Sequence, residues 1–206
     1  WAKVLPTIPD PNIPIFIVII FGLISDGILN QSTTMTDRRI VLNTQRTYLY
    51  KLDIDDASSL FILNSDPEVI KYTGDPAFSN EKEAEKFLAA YSDYTQNGIG
   101  RWGVRQRLND EFIGWCGLKL HQNGEVDLGF RFLKRYWGHG FATEASLACV
   151  AYGFSKLNLD YIIGRVMHKN LASIRVLEKV GMSYLKDIIC DEHPAKCYRI
   201  NRPENQ

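Results

Sequence analysis

No stretch of this 206-residue chain is both apolar enough and long enough to cross a bilayer as a helix. The best candidate, Ile13 to Ile24, is twelve residues long and is interrupted by Pro14 and Gly22, whereas a spanning helix needs about 20. A secretion signal is disfavoured as well. Lys3 is the one basic residue ahead of that run, Asp10 opposes it, and no small-residue cleavage site follows. An excess of either charge is also missing. The 24 Lys and Arg balance the 24 Asp and Glu, so no broad field points to nucleic acid or anionic lipid as partner. Cysteine is scarce: Cys116, Cys149, Cys190 and Cys197 have no metal-ligand spacing. They read as reduced thiols of a cytoplasmic protein, with a Cys190/Cys197 disulfide as the minority alternative. Internal repeats and low-complexity tracts are absent.

What is present is ordinary globular composition, 45% apolar and 23% charged, enough to bury a core without staples. The chain as given begins at Trp1, and its first methionine is Met35. Residues 1–34 are expected to be an N-terminal extension outside the fold, and 35–206 a single domain.

The most informative stretch runs from Arg135 to Ala145, RYWGHGFATEA. An alternating apolar segment (Glu125 to Leu133) precedes it and an amphipathic run (Ala142 to Leu157) follows. The sequence is therefore strand, glycine-spaced turn, helix N-terminus. Such a turn presents backbone N–H groups at the positive end of a helix dipole, which suits a phosphate or diphosphate. Gly138 and Gly140 let the backbone approach an anion closely, and Arg135 can add a planar cationic fork.

Elsewhere, Thr47 to Leu52 reads as a first strand. Asp55 and Asp56 are expected to cap a helix carrying Ala57, Leu60, Phe61 and Leu63, ending near Pro67. A helical turn over Glu68 to Tyr72 follows. Asn80 and Glu83 have capping-box spacing for a helix that should stop at Asn97-Gly98. Arg101 to Arg107, Phe112 to Leu120 and Glu125 to Leu133 form an antiparallel meander. After the glycine turn and its helix come a strand (Tyr161 to His168), a helix (Leu171 to Val180) stopped by Gly181, and closing strands (Met182 to Cys190, Lys196 to Ile200). Gly114 and Gly117 around Trp115-Cys116 suggest a bulge or a close backbone approach. The fold class is α/β: a mixed central sheet, an antiparallel meander plus a parallel strand–helix–strand unit, flanked by helices.

Three motifs in this order carry a resemblance. They are Arg135-x-x-Gly138-x-Gly140, Asn170-Leu-Ala-Ser173 running to Leu177, Lys179 and Gly181, and Asn64-Ser-Asp-Pro-Glu-Val69. Together they resemble the GNAT superfamily of N-acetyltransferases, in particular the branch that acetylates ribosomal-protein N-termini, over Thr44 to Arg202. The resemblance implies an acetyl-CoA-dependent transferase acting on a primary amine by direct attack in a ternary complex. A peptide N-terminus or a small molecule would be the acceptor, in a monomer or homodimer, with no nucleic acid, membrane or metal involved. The alternative from another class is a non-catalytic CoA-binding sensor or scaffold. A different nucleotide at the same turn ranks last, because neither dinucleotide nor P-loop spacing is present.

The resemblance also assigns roles. Arg135 and the amides of Gly138, His139, Gly140, Phe141 and Ala142 would hold the CoA diphosphate, while Phe130, Phe132 and Leu133 would lie along the pantetheine arm. Thr143 would either donate to a phosphate or simply occupy a helix face. Asn170 would position cofactor and water, or cap its helix, or both. Ser173 would assist departure of the thiolate, with Tyr184 as a rival donor or a core residue. Asp127 would be the base, acting through water, because it stands where the branch carries the longer glutamate; Glu125 could substitute but reads as solvated. His139 is expected to be exposed and His168 to end a strand. Trp102, Trp115, Tyr72 and Phe78 are candidates for an acceptor pocket or for packing. Asp66, Glu68 and Asp75 could attract a cationic amine but default to solvated surface.

Overall fold

The structure is a computed structural model, and it describes residues 40–190 and 192–204. The expected extension, 1–34, lies outside the described residues. Among the described residues, eight strands form one sheet: β1 (Ile40–Asn43), β2 (Thr47–Tyr50), β3 (Arg101–Gln106), β4 (Phe112–Leu120), β5 (Val126–Phe132), β6 (Tyr161–Met167), β7 (Ser183–Cys190) and β8 (His193–Asn201). Their spatial order is β1-β2-β3-β4-β5-β6-β8-β7. Every neighbouring pair is antiparallel except β5–β6, which is parallel. Helices α1 (Ala57–Ser65), α2 (Pro67–Ile70), α3 (Glu81–Ala90) and α4 (Asp93–Gln96) lie between β2 and β3. Helix α5 (Phe141–Ser155) crosses over from β5 to β6, and α6 (Leu171–Lys179) follows β6.

Period-two alternation decides which side of the sheet each helix covers. In β5, Val126, Leu128, Phe130 and Phe132 point toward α5 and join Trp102, Cys116, Leu118, Cys149 and Ile162 in the main core. A second core lies under α1 and α3, where Leu60, Leu63, Ala84 and Leu88 meet Phe112 and Leu133. The side chains of Asp127 and Arg131, at the intervening positions of β5, fall on the side away from α5. Among the described residues, no helix is long and apolar enough to cross a membrane.

Several boundaries differ from expectation. A strand ahead of the expected first one, β1, pairs with β2. Asp53, rather than Asp55 or Asp56, supplies the side-chain cap, to the 3-10 turn Ile54–Asp56 that leads into α1. Asp56 is instead buried, accepting from the Tyr50 hydroxyl at 2.5 Å and Arg105 at 3.3 Å. Helix α3 ends at Ala90 rather than Asn97, and the separate turn α4 follows it. Asn80 caps α3 as expected, accepting from Glu83 N, but the Glu83 carboxylate reaches back to Ser79 N.

The glycine pair in β4 proves to mark both expected features. The β3–β4 register shifts between Val104 and Arg105, opposite Ile113. A Cβ at Gly117 would lie 2.1 Å from the Gly100 carbonyl oxygen. Cys116, Cys149 and Cys197 are free thiols. Cys197 pairs in register with Lys186, and Cys190 with His193, so Cys190 and Cys197 are not opposite one another. Tyr184 is 52% exposed, not core, and stands edge-on to Tyr198. Trp102 is fully buried in the main core.

Candidate active site

Strands β5 and β6 share one register position, Asp127 opposite Ile163, although β5 is paired with β4 along its whole length. Beyond Asp127 the two strands part, and among the described residues the inner edge of β5 has no ladder partner on that side. An extended chain bearing amide groups can pair with such an edge as a strand would. Because β5 and β6 are parallel, the helices that follow them, α5 and α6, both begin at the same end of the sheet. The opening between parallel strands at their carboxyl ends is where open α/β sheets hold ligands.

The glycine turn closes that end. Gly138 has φ 77° and Gly140 has φ 82°, a left-handed conformation that favours glycine. A Cβ at Gly138 would meet nothing within 4 Å, so that side of the turn is open. Gly140 is the N-cap of α5 and offers no side-chain cap. The first-turn N–H groups of this helix therefore face outward, as a diphosphate requires. Asn80 and Asn170, by contrast, cap α3 and α6 with their own side chains.

The acidic residue in the first turn of α5, Glu144, turns toward the β1–β2 connection. Its carboxylate accepts from the Thr44 hydroxyl at 2.6 Å and from Arg46 N and Nε, both at 2.7 Å. Arg46 also donates to the His139 carbonyl at 3.0 Å, and its guanidinium lies 4.4 Å from the Phe141 ring centroid. The cation braced against the turn is thus Arg46. Arg135 sits in the 3-10 turn Lys134–Tyr136 and pairs with Glu111 at 2.5 Å.

The remaining expected residues take these places. Phe130 is half-buried, Phe132 is buried on the α5 side, and Leu133 is buried under α1. His139 is exposed, with Nδ1 2.8 Å from the Trp137 carbonyl. Ala142 and Thr143 are half-buried in the first turn of α5. Asn170 Oδ1 accepts from Ser173 N at 3.1 Å, so the capping role holds, and both residues lie where α6 begins, at the end of the parting strands. His168 follows β6 and approaches Asp187 at 3.0 Å. Asp66 caps α2. Asp75 is exposed, as expected, and also pairs with Arg131 at 2.5 Å. Two guanidinium groups lie over the Trp115 ring, Arg101 at 5.4 Å and Arg131 at 5.3 Å from its centroid. Phe78 packs against the second core.

Asp127 stands where the strands part and is 8% exposed. Arg101 Nη2 donates to its Oδ2 at 2.8 Å, and Arg101 Nη1 donates to the carbonyls of Gly117 at 2.8 Å and Asp127 at 3.1 Å. His121 Nε2 lies 3.4 Å from the same Oδ2. Among the described residues Oδ1 has no hydrogen-bond partner. Burial alone raises the pKa of this carboxyl. Arg101 and His121 outweigh the burial and hold it below the usual carboxylate range. Asp127 is accordingly an anion, with one oxygen engaged and the other buried without a partner among the described residues. Glu125 is not simply solvated: it accepts from Asn123 at 2.8 Å and lies 3.4 Å from Arg165.

Sequence reasoning missed Arg101, His121 and Arg46. The first left a trace. Arg101 is opposite Gly117, and Gly117 is opposite Gly129. A Cβ at Gly129 would lie 2.5 Å from the Arg101 guanidinium carbon, so this row of glycines is the bed on which Arg101 reaches Asp127.

A sheet parted between two parallel strands, with an uncapped, glycine-entered helix at the opening, defines a class, and comparison with known proteins agrees. The acetyltransferase (GNAT) domain family matches residues 46–183, and the chain belongs to that family of acetyltransferase enzymes. An uncharacterized N-acetyltransferase p20 of Bacillus licheniformis is 33% identical over 159 residues, covering 75% of this chain and 88% of the relative. Two solved structures share the fold. One is a ribosomal L7/L12 alpha-N-protein acetyltransferase, RimL, in complex with coenzyme A, at TM-score 0.70 and 14% identity, covering 79% of this chain and 98% of that one. The other is a spermidine N-acetyltransferase from Vibrio cholerae in complex with CoA and spermine, at TM-score 0.65 and 18% identity, covering 76% and 95%.

Proposed function

We propose that this protein transfers the acetyl group of acetyl-CoA to a primary amine, a peptide N-terminus or a small molecule, by direct attack in a ternary complex. The observation that carries the reading is the parting of β5 from β6 at a buried, ionised carboxylate, with an open helix N-terminus at the far end of the gap. The diphosphate sits on the amides of residues 138–142, with Arg46 bracing the turn and Arg135 free to exchange Glu111 for the anion. The pantetheine arm pairs with the open edge of β5 beside Phe130 and Phe132. On this reading the thioester lies toward Asp127, where both reactants can be held in line.

The chemistry then asks for little. The amine nitrogen forms its bond to the acetyl carbon, the carbon–sulfur bond breaks, and the thiolate takes a proton as it leaves. Ser173, at the mouth of α6, supports the departing sulfur. Asn170 spends its carbonyl oxygen on the cap, so its amide N–H₂ is the part that orients cofactor or water. Asp127 accepts a hydrogen bond through Oδ1 from the amine or from an intervening water. Spermine in the Vibrio cholerae structure is an amine of the small-molecule kind. The free thiols of Cys116, Cys149 and Cys197 favour the cytoplasm as its compartment.

The test is acetyl-CoA-dependent thiol release with peptides, polyamines, amino acids and aminoglycosides in turn. At least one class should turn over. Asp127→Asn should then lower kcat by about 10²- to 10⁴-fold, the span of general acid–base contributions, with acetyl-CoA affinity near normal. Acetyl-CoA binding without release for any acceptor would count against transfer.

A further inference from the structure

The carboxylate at the centre of the site is poorly suited to keep a proton. It is buried and its charge is balanced by Arg101 at 2.8 Å. The proton removed from the amine therefore needs another destination. His121 is the group positioned to provide one. It sits at the end of β4, with its side chain 27% exposed and its Nε2 3.4 Å from Asp127 Oδ2. It also lines a cavity of about 450 Å³ together with Lys119, Leu120, Gln122, Asn123 and Arg165. One edge of the imidazole thus faces the buried carboxylate while the ring borders an open, polar cavity.

The hydrogen-bond inventory fixes the roles. An ionised carboxylate can only accept, so neutral His121 must carry its proton on Nε2 and leave Nδ1 as the basic nitrogen. We infer that His121 and Asp127 form a dyad in which Asp127 fixes the tautomer and stabilises the imidazolium, while His121 Nδ1 receives the amine's proton through water and releases it to solvent. The inference rests on the acetyl-transfer reading above. It recasts Asp127 from proton acceptor to positioning residue, the same division of labour that a buried aspartate and a histidine show in hydrolase triads.

Charge balances along this route. An ammonium acceptor and acetyl-CoA give an amide, free CoA thiol and one proton. Of the two protons the nitrogen loses, one ends on sulfur and the other leaves through His121. The charged groups around the imidazole come from four strands and a turn. They are Asp127 from β5, Arg101 from β3 behind it, Lys119 from β4, Arg165 from β6, and Glu125, which Arg165 holds at 3.4 Å. His121 N also donates to the Glu125 carbonyl at 2.9 Å, so the ring's backbone is anchored by the turn.

The experiment uses the full chain with the acceptor that gives the most release. His121→Ala and His121→Gln are compared with the unsubstituted protein in steady-state rate from pH 5.5 to 9, with thermal melting as the check on folding. The dyad requires kcat to fall by about 10²-fold or more in both variants, with KM for acetyl-CoA within threefold. The acid-side limb of the kcat profile must disappear, and added imidazole must restore rate to the alanine variant in a saturable way. Folded variants with an unchanged acid limb, or a kcat loss below threefold, would overturn it. So would an alanine variant that loses rate and does not respond to imidazole while the glutamine variant keeps its rate, which is the pattern of a packing role. If the unsubstituted protein binds acetyl-CoA and acetylates nothing, the transfer reading fails first, and the two failures are distinguishable.

Discussion

Removing Arg101 should expose how Asp127 is held. Their ion pair is 2.8 Å long, and the two side chains are 17% and 11% exposed, so Arg101→Met strands a charge away from water. Breaking a buried pair from one side typically costs about 3–5 kcal/mol. Arg101 also donates to two backbone carbonyls that methionine cannot serve, which places the expectation in the upper half of that range at neutral pH. The pH dependence is the sharper reading. In the unsubstituted protein the folded pKa of Asp127 is depressed below the ordinary value of 3.8. Its contribution to stability is therefore present above about pH 4 and is lost as pH falls through the folded value. Without Arg101, burial dominates and raises the folded pKa, so the variant's penalty is small at low pH and grows as pH rises through that value. Urea unfolding of both proteins between pH 3.5 and 8 measures the difference. It should be several kcal/mol at pH 7 and shrink as the carboxyl protonates. A loss below about 1 kcal/mol, or one that does not change with pH, would refute the claim that Arg101 serves to hold a buried carboxylate.

Two other substitutions probe the turn and the glycine bed. Arg46→Ala frees Glu144 and the His139 carbonyl; it should raise KM for acetyl-CoA several-fold and leave kcat within about twofold, because the binding lost is common to ground and transition states. An unchanged KM would separate Arg46 from the cofactor turn. Gly117→Ala sets a methyl 2.1 Å from the Gly100 carbonyl oxygen, a clash with backbone that should cost about 1–3 kcal/mol or more, as overpacking does, and lower the urea midpoint; a neutral result would mean the β3–β4 approach is looser than described.

Much of this architecture was legible in the chain because its signals are local. The alternation of Val126, Leu128, Phe130 and Phe132 marks a strand with one buried face. The spacing of Gly138 and Gly140 marks a left-handed entry to a helix, and Asn170 three residues ahead of Ser173 marks a cap. The short strand β1 escaped because its four residues carry no pattern of their own and owe their place to β2. The end of α3 was misplaced because Asn97-Gly98 does stop a helix, but a different one-turn helix, α4. The site was less legible than the fold. Arg135 is near the turn in sequence yet pairs with Glu111 from the β3–β4 hairpin, whereas Arg46 reaches the turn from 93 residues before His139. Partners so distant in sequence are fixed by the sheet order, which no single window contains. His121 was passed over for the same reason: it looks like one more residue of a polar turn until β4 and β5 are laid side by side.

The single register position joining β5 to β6 has a mechanical consequence. Five strands lie on one side of that joint and three on the other, and the ladder that should weld them is missing over most of its length. The sheet is in effect two panels with an open seam, stitched at Asp127 and Ile163 and bridged on one face by α5. A molecule that lays amide groups along the seam supplies the absent rungs and becomes a temporary ninth strand. On the transfer reading proposed above, occupancy would make the two panels one cooperative unit and release of the spent molecule would unstitch them again, so each turnover would complete and dismantle a β-sheet.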